Sequence, residues 1–307
     1  MVAHSSRLTP AALESWKAHR RSFWLLSLPG GLWLVLFFVI PLSLIWVLSF
    51  GEKDGLVDVN ITGTLANYLR TLEPVYLQIM GKTFWVSALA TALTFLIAYP
   101  LAYCICFSPA RWRPWLLMAV VLPFWINLLI RTYALIAVFR TRGYLNFTLE
   151  WFWDLAWLDQ LIGPYQPLEL LYNNAAVVIG LVYVYLPFMV LPLYAAIDKL
   201  DRSLLEASYD LGAGRLRTFW SVTMPLTASG IGTGCLLVFV LSLGTFLTPE
   251  LLGGANAVMI GNVIERQFKA ANDWPFGAAL SFLLVYATLL ALAVRAWLSR
   301  RQEAARA

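Results

Sequence analysis

Six long apolar runs restrict what this sequence can fold into. A helix needs roughly 20 mostly apolar residues to cross a hydrocarbon core of about 30 Å. Runs of that length occupy Trp24–Phe50, Thr83–Phe107, Pro114–Phe139, Asn174–Ile197, Ala228–Thr248 and Phe276–Leu298. Only 13% of the residues are charged, whereas a water-soluble domain carries about 25%. The runs therefore predict an all-α integral membrane protein with six transmembrane helices.

The distribution of Lys and Arg predicts the orientation of these helices. Basic residues cluster before the first run, between the second and third, between the fourth and fifth, and after the sixth. Because cytoplasmic loops carry the excess of Lys and Arg, both termini are expected to be cytoplasmic. The expected organisation is a tail at 1–23, a membrane domain at 24–298 with a cytoplasmic loop at 199–227, and a tail at 299–307. The net charge of +5 then reflects topology and contact with membrane lipids, not nucleic acid.

Charged groups inside the runs bear on the energy source. None of the six runs contains Asp or Glu, although ion-driven carriers usually keep such groups near the bilayer midplane. A stand-alone secondary carrier is therefore disfavoured, but it stays open as an alternative. Arg131 lies inside the third run, close to its predicted outer end, and two roles stay open for it. It either extends to the membrane interface or lines a pore.

The sequence gives little support for an enzymatic function. The segment at 81–83 reads GKT, but a phosphate-binding loop requires glycine where Tyr76 stands. The two histidines, His4 and His19, both lie in the polar amino-terminal segment. No nucleophile with a nearby base and no metal-ligand spacing is evident, so an enzyme is the least supported class.

A polar, charged stretch separates the fourth and fifth runs. Ser203 and Glu206 have the spacing of a capping box, which predicts a helix start at Ser203. Gly212 predicts a left-handed cap about eight residues later. A helix of about 12 Å is too short to be stable alone, so another surface is expected to pack on it.

The same stretch resembles the signature of permease subunits of ATP-binding-cassette (ABC) importers. The matching residues are Glu206, Ala207, Ser208, Gly212, Val222, Met224 and Pro225. Ser208 replaces the second alanine of the family pattern. The resemblance implies a type I importer permease fold in which this helix is the cytoplasmic coupling helix, docked in a groove of an ATPase subunit.

The resemblance also implies which residues meet the ATPase. Glu206 is expected to make a polar contact, while Ala207, Ser208 and Leu211 fill the groove. The complete predicted interface is Leu205, Glu206, Ala207, Ser208, Asp210, Leu211, Gly212 and Arg215. The chain is then a transport subunit with no ATPase site and no cofactor of its own, because the partner ATPase uses the ATP and Mg.

Four further stretches resemble the spermidine/putrescine-type permease, B-type subunit. They are LPFWINLLIRTYALI from Leu122, GLVYVYLPFMVLPLYAAIDKLD from Gly180, LLGGANAVMIGNVIERQF from Leu251 and DWPFGAALS from Asp273. The implied machine, in a bacterial inner membrane, adds a second homologous permease, two ATPase copies and a periplasmic polyamine-binding protein. Other small organic solutes stay open as cargo: an opine, an aminophosphonate or a metal chelate.

A path for a polyamine requires carboxylates, carbonyls and aromatic faces, because the solute is a flexible polycation. Glu250, just beyond the predicted outer end of the fifth run, is the preferred acid for the entrance. The other candidates are Trp125, Asn127, Tyr183, Tyr185, Phe188 and Trp274. For each aromatic residue, a role in packing or at the membrane interface stays open.

Overall fold

The computed structural model of the protein describes residues 24–55, 58–155 and 163–306, and it is almost entirely helical in these ranges. The helices, in chain order, are α1 (Trp24–Leu48), α2 (Ala66–Arg70), α3 (Pro74–Phe107), α4 (Arg113–Val121), α5 (Leu128–Phe139), α6 (Tyr144–Leu155), α7 (Asn174–Asp198), α8 (Arg202–Asp210), α9 (Arg215–Thr218), α10 (Met224–Leu226), α11 (Ala228–Leu243), α12 (Leu247–Leu252), α13 (Ile260–Lys269) and α14 (Trp274–Arg306). The predicted tail at 1–23 lies outside the described residues. The predicted tail at 299–307 continues α14 as far as Arg306.

Short irregular elements interrupt or join the helices. A π-helical turn at Val35–Val39 lies within α1, and a second one at Phe219–Thr223 joins α9 to α10. Two strands, β1 (Glu52–Asp54) and β2 (Asp58–Asn60), form an antiparallel hairpin after α1.

The helices long and apolar enough to cross a membrane confirm the predicted all-α membrane fold. Within the described residues, α1, α3, α7 and the part of α14 at Trp274–Val294 meet this test individually. Two bent helix pairs bring the number to as many as six if each pair is one span. The prediction of six spans therefore holds if each bent pair is counted as one span.

The third span, predicted at 114–139, is broken into two helical segments. The segment Arg113–Trp125 is bent by 95° from the helix that starts at Leu128. Pro123 lies in a 3₁₀ turn at Leu122–Trp125, where its missing N–H interrupts the α-helical hydrogen bonds. Asn127 then starts α5, because its side-chain oxygen accepts a hydrogen bond from the Leu129 amide at 2.8 Å.

Two other span boundaries differ from the prediction. The second helix begins at Pro74 rather than at Thr83, so the GKT segment lies inside α3. The fifth helix begins at Ala228 as predicted, but α11 ends at Leu243 rather than at Thr248. Average hydropathy locates the apolar centre of a helix, but it does not indicate the residues at which the helix begins and ends.

The core forms around α7, which packs between α3 and α11. Leu181, Met189 and Leu193 of α7 are completely buried. Two glycines of α11 let its backbone approach α7 closely. A Cβ atom added at Gly230 would lie 2.8 Å from the Pro192 carbonyl oxygen, and one at Gly234 would lie 2.7 Å from the Met189 sulfur.

The loops at the other end of the bundle from α8 are fixed by specific polar contacts. Arg70 of α2 forms an ion pair with Asp273 at 2.7 Å, and its guanidinium lies 4.0 Å from the centre of the Phe276 ring. These contacts tie the segment after α1 to the start of α14.

Asn146 fixes a second part of this end of the bundle. It is 3% exposed, and its amide donates to the carbonyl oxygens of Arg140, Thr141 and Leu168 at 3.0–3.3 Å. Its side-chain oxygen accepts from the Tyr165 hydroxyl at 2.8 Å and from the Leu168 amide at 2.9 Å. Asn146 therefore holds α6 to the loop that precedes α7.

Candidate functional site: the coupling helix and the interior of the bundle

The short helix between the fourth and fifth spans is α8, and Asp201 caps its start. The Asp201 carboxylate accepts a hydrogen bond from the Ser203 amide at 3.0 Å. The predicted start at Ser203, with a capping box to Glu206, is therefore wrong: Asp201 stands two residues earlier and takes the free amide. Hydrogen bonds from the backbone and side chain of Ser203 lower the pKa of Asp201.

The end of α8 is capped by glycine, which confirms the prediction for Gly212. Its φ is +79°, a conformation that costs a residue without Cβ little. The Gly212 amide donates to the Tyr209 carbonyl at 2.9 Å, and the Ala213 amide donates to the Ser208 carbonyl at 3.1 Å. These two bonds make a Schellman cap, so both ends of this nine-residue helix are held.

The predicted interface residues divide between two faces of α8. Leu205 is 6% exposed and packs against its own chain, and the Ser208 hydroxyl is bonded to Thr218. The remaining six are exposed: Glu206, Ala207, Asp210, Leu211, Gly212 and Arg215. Leu211, which follows the last residue of α8, is the most exposed of the large hydrophobic residues that the structure describes, at 88%. The exposed residues of α8 thus include Glu206, Asp210 and Arg202, so the surface carries charges of both signs.

A series of contacts connects α8 to two spans. The hydroxyls of Ser208 and Thr218 are 2.9 Å apart, and the Phe219 ring next to Thr218 packs edge-on against Tyr99 of α3 at 5.3 Å. The Tyr99 hydroxyl is 2.9 Å from the hydroxyl of Thr227. Thr227 stands at the 70° bend between Arg215–Leu226 and Ala228–Leu243.

Sequence reasoning did not find Tyr99, Thr218 or Thr227. Tyr99 and Thr227 are 128 positions apart, and no local spacing indicates such a contact. All three are at least 96% buried, so they position the loop rather than present a surface to a partner.

The candidate substrate-path residues do not form one site. Tyr185 and Phe188 are neighbours on α7 with ring centres 6.2 Å apart, and Phe188 packs edge-on against Phe124 at 5.2 Å. The Tyr185 hydroxyl donates to the Leu241 carbonyl at 3.2 Å, which ties α7 to α11. These rings contribute to packing around the break in the third span.

The other candidates lie apart from this cluster. Trp125 is 87% exposed beside the break, and Tyr183 is partly exposed on α7. Asn127 uses its side-chain oxygen to cap α5. Trp274 lies at the start of α14, where its ring packs edge-on against Phe268 at 5.9 Å.

Arg131 is buried, with an exposure of 6%. Its guanidinium lies 5.9 Å from the centre of the Phe124 ring, and its Nε atom has no hydrogen-bond partner among the described residues. A side chain that extends to the membrane interface keeps its charged group exposed. The structure therefore favours the interior role over the interfacial one.

Glu250 lies in α12 and already has two partners. Its carboxylate accepts a hydrogen bond from the side-chain amide of Asn262 at 2.7 Å and pairs with Arg266 at 3.4 Å. The side chain is 46% exposed. A cation arriving at Glu250 thus meets a carboxylate that is partly neutralised.

Three comparisons place the chain among known proteins. Residues 97–304 match the family model for the binding-protein-dependent transport system inner membrane component. The spermidine/putrescine transport system permease protein PotB of Escherichia coli (strain K12) is 43% identical over 262 residues, which is 85% of this chain and 92% of that protein. The protein of the same name from Haemophilus influenzae is 42% identical over 85% of this chain and 88% of its own length.

A solved structure agrees on the fold. A chain of the bacterial alginate ABC transporter, crystallised in complex with its alginate pentasaccharide-bound periplasmic protein, superposes with a TM-score of 0.70 at 18% identity. The match covers 93% of this chain and 97% of that one. The chain belongs to the family of inner membrane components of binding-protein-dependent transport systems, and it is a multi-pass permease subunit of an ABC transporter.

Proposed function

We propose that this permease imports polyamines such as spermidine and putrescine, received from a periplasmic binding protein. The observation that carries the proposal is the 43% identity to a spermidine/putrescine permease over 85% of the chain. The match extends over most of the chain and is not confined to the segment around α8. Of the candidate path residues, Tyr185 and Phe188 pack inside the bundle, whereas Trp125, Tyr183, Trp274 and Glu250 are exposed.

The proposed complex contains a second homologous permease, two ATPase copies and the binding protein. Its energy comes from hydrolysis of ATP, with Mg, at the ATPase. The exposed surface of α8 transmits the resulting movement. Glu206 and Asp210 offer carboxylates there, and Leu211 offers an apolar side chain for a groove. Leu205 and Ser208, whose side chains contact their own chain, hold the helix in place instead of entering the groove.

The proposed orientation places α8 and both termini in the cytoplasm, as the basic residues predict. The hairpin β1–β2, α2, α6, α12 and α13 then lie towards the periplasm. The exposed basic residues Arg202, Arg215 and Arg217, in and after α8, support a cytoplasmic position for this loop.

The test is uptake by the reconstituted complex. The chain is copurified in mild detergent with its partner subunits and placed in vesicles with the binding protein, with and without ATP. ATP-dependent uptake of spermidine that excess putrescine reduces, and that neutral analogues of the same length do not, supports the proposal. Uptake of an opine, an aminophosphonate or a metal chelate in place of polyamines contradicts it, as does uptake without the ATPase.

A further inference from the structure

A cleft of about 460 Å³ opens between α13 and α14, beside the segment that leaves α11. Phe246, Phe268 and Leu284 give it apolar walls. Glu265 contributes the carboxylate of the lining, and Ser281 contributes a hydroxyl group. Under the proposed orientation the cleft lies in the periplasmic half of the chain.

An ammonium group of the chain itself already occupies the polar part of the cleft. The Lys269 Nζ atom lies 2.8 Å from the Glu265 carboxylate and 6.0 Å from the centre of the Phe246 ring. A carboxylate and an aromatic face are the two groups that bind alkylammonium ions in proteins. The lysine therefore shows that this part of the cleft accommodates an ammonium group.

The position of Lys269 allows another cation to displace its ammonium group from Glu265. Its side chain is 71% exposed, whereas that of Glu265 is 27% exposed. The two residues are one helical turn apart on α13, and such exposed pairs are weak. Among the residues that the structure describes, Lys269 provides the only ion pair of Glu265.

Glu250 differs from Glu265 in this respect. Its carboxylate accepts a hydrogen bond from the side-chain amide of Asn262, a residue that is almost fully buried. It also forms an ion pair with Arg266. An incoming cation would have to compete with a fixed hydrogen bond and a guanidinium. Glu265 has to exchange only one exposed ammonium group for another.

We propose that this cleft is an ammonium subsite for the transported polyamine, a role that rests on the proposed function above. One primary ammonium of the solute takes the place of the Lys269 Nζ at Glu265 and beside Phe246. The methylene chain that follows lies against Phe268 and Leu284. Exchange between the two ammonium groups keeps the site shallow, as a transport path requires, because a deep site would retain the solute.

The experiment uses the complete complex in vesicles, saturated with spermidine-loaded binding protein, and measures uptake and ATP hydrolysis in the same sample. Glu265→Gln is expected to lower the spermidine moved per ATP by about tenfold, since a charge-assisted hydrogen bond becomes a neutral one. Lys269→Gln removes the competing ammonium and is expected to raise this ratio about twofold. Glu150→Gln, which removes an exposed carboxylate of α6, is the matched control and should equal the wild type.

The double variant separates competition from a structural role. If Lys269 competes for Glu265, the gain from Lys269→Gln disappears in the Glu265→Gln background. A wild-type ratio for Glu265→Gln overturns the subsite, and so does an equal loss for both single variants, which indicates that the ion pair only supports the fold. Binding-protein-stimulated ATP hydrolysis in each variant verifies assembly. Failure of the wild-type complex to take up any polyamine is a different result, since it removes the proposed function itself.

Discussion

The hydroxyl groups of Ser208 and Thr218 lie 2.9 Å apart and join α8 to the segment that leads into the fifth span. Alanine, which the family pattern has at the position of Ser208, cannot make this bond. Thr218 is 1% exposed, so the bond forms away from solvent, where hydrogen bonds are stronger. In this chain the angle between α8 and α9 is therefore fixed by a side-chain contact in addition to the glycine turn.

Replacing Ser208 by Ala or Thr218 by Val is expected to loosen this angle. Each change removes one hydrogen bond, with a net value of about 0.5–1.5 kcal/mol. The polyamine moved per ATP hydrolysed should fall about two- to twelvefold, the factor that corresponds to this free energy, because the movement of α8 is transmitted less completely at the joint. In the double variant the losses should not add, since both changes remove the same bond.

Ser221→Ala is the matched control for this pair. Ser221 lies in the same loop, in the turn at Phe219–Thr223, and is exposed. Additive losses for Ser208→Ala and Thr218→Val would show that the two hydroxyls act separately.

Asp201→Ala is expected to loosen the start of the coupling helix, whereas Asp201→Asn keeps an acceptor for the Ser203 amide. Because the pKa of Asp201 is lowered in the folded loop, its stabilising contribution is complete above the pKa of the unfolded chain. It is lost as the pH falls through the lowered value. Hydrogen exchange of the amides at 203–206, read at neutral pH, should be faster in Asp201→Ala than in Asp201→Asn. Equal rates in the two variants would restore a role for Glu206 in the cap.

Arg131→Met is expected to leave thermal stability unchanged or to raise it while transport falls. The guanidinium is 6% exposed, and its Nε atom has no partner within the described residues. Removing an incompletely compensated buried charge relieves its desolvation, and methionine fills a similar volume. Unfolding of the detergent-solubilised complex and ATP-dependent uptake measure the two effects. A large loss of stability with normal uptake would mean that Arg131 is structural.

Asn146→Ala is expected to release α6 from the loop before α7. Asn146 is 3% exposed and makes five hydrogen bonds to four residues. The backbone groups that lose this partner are partly buried, and each unsatisfied group costs about 1–3 kcal/mol. Proteolysis at 163–171 should become faster in the variant. Unchanged cleavage, with Thr148→Ala as the exposed control, would contradict the role of Asn146.

The extent to which the sequence predicts the fold depends on the range of the interactions. The apolar runs locate α1, α3, α7 and α14 because burial in a membrane needs only a continuous run of apolar side chains. The break in the third span has local causes in Pro123 and Asn127, but the average hydropathy of the run conceals them. The bend at Thr227 has a longer-range cause: its hydroxyl bonds to the Thr223 carbonyl at 2.9 Å and meets Tyr99 of α3.

For the candidate-site residues too, the range of the interactions decides what the sequence predicts. Gly212 was predictable because a left-handed cap is a property of one residue in its local context. The choice between Asp201 and Ser203 as the helix start was not, since both have suitable side chains. The inward position of Leu205 and Ser208 depends on α9, and the pairing of Glu250 with Asn262 depends on the turn of the chain between α12 and α13.

The central claim is that the exposed surface of α8 receives the work of an ATPase, and Glu206→Lys tests it most directly. Glu206 is exposed on α8, so a lysine there should reverse the charge at the contact without disturbing membrane insertion. The measurement is ATP-driven polyamine uptake and ATP hydrolysis in the same proteoliposomes, with Glu150→Lys, a charge reversal on exposed α6, as control. The account predicts that uptake is lost in Glu206→Lys, that hydrolysis no longer responds to loaded binding protein, and that Glu150→Lys behaves as the wild type. Normal uptake per ATP in Glu206→Lys would contradict it.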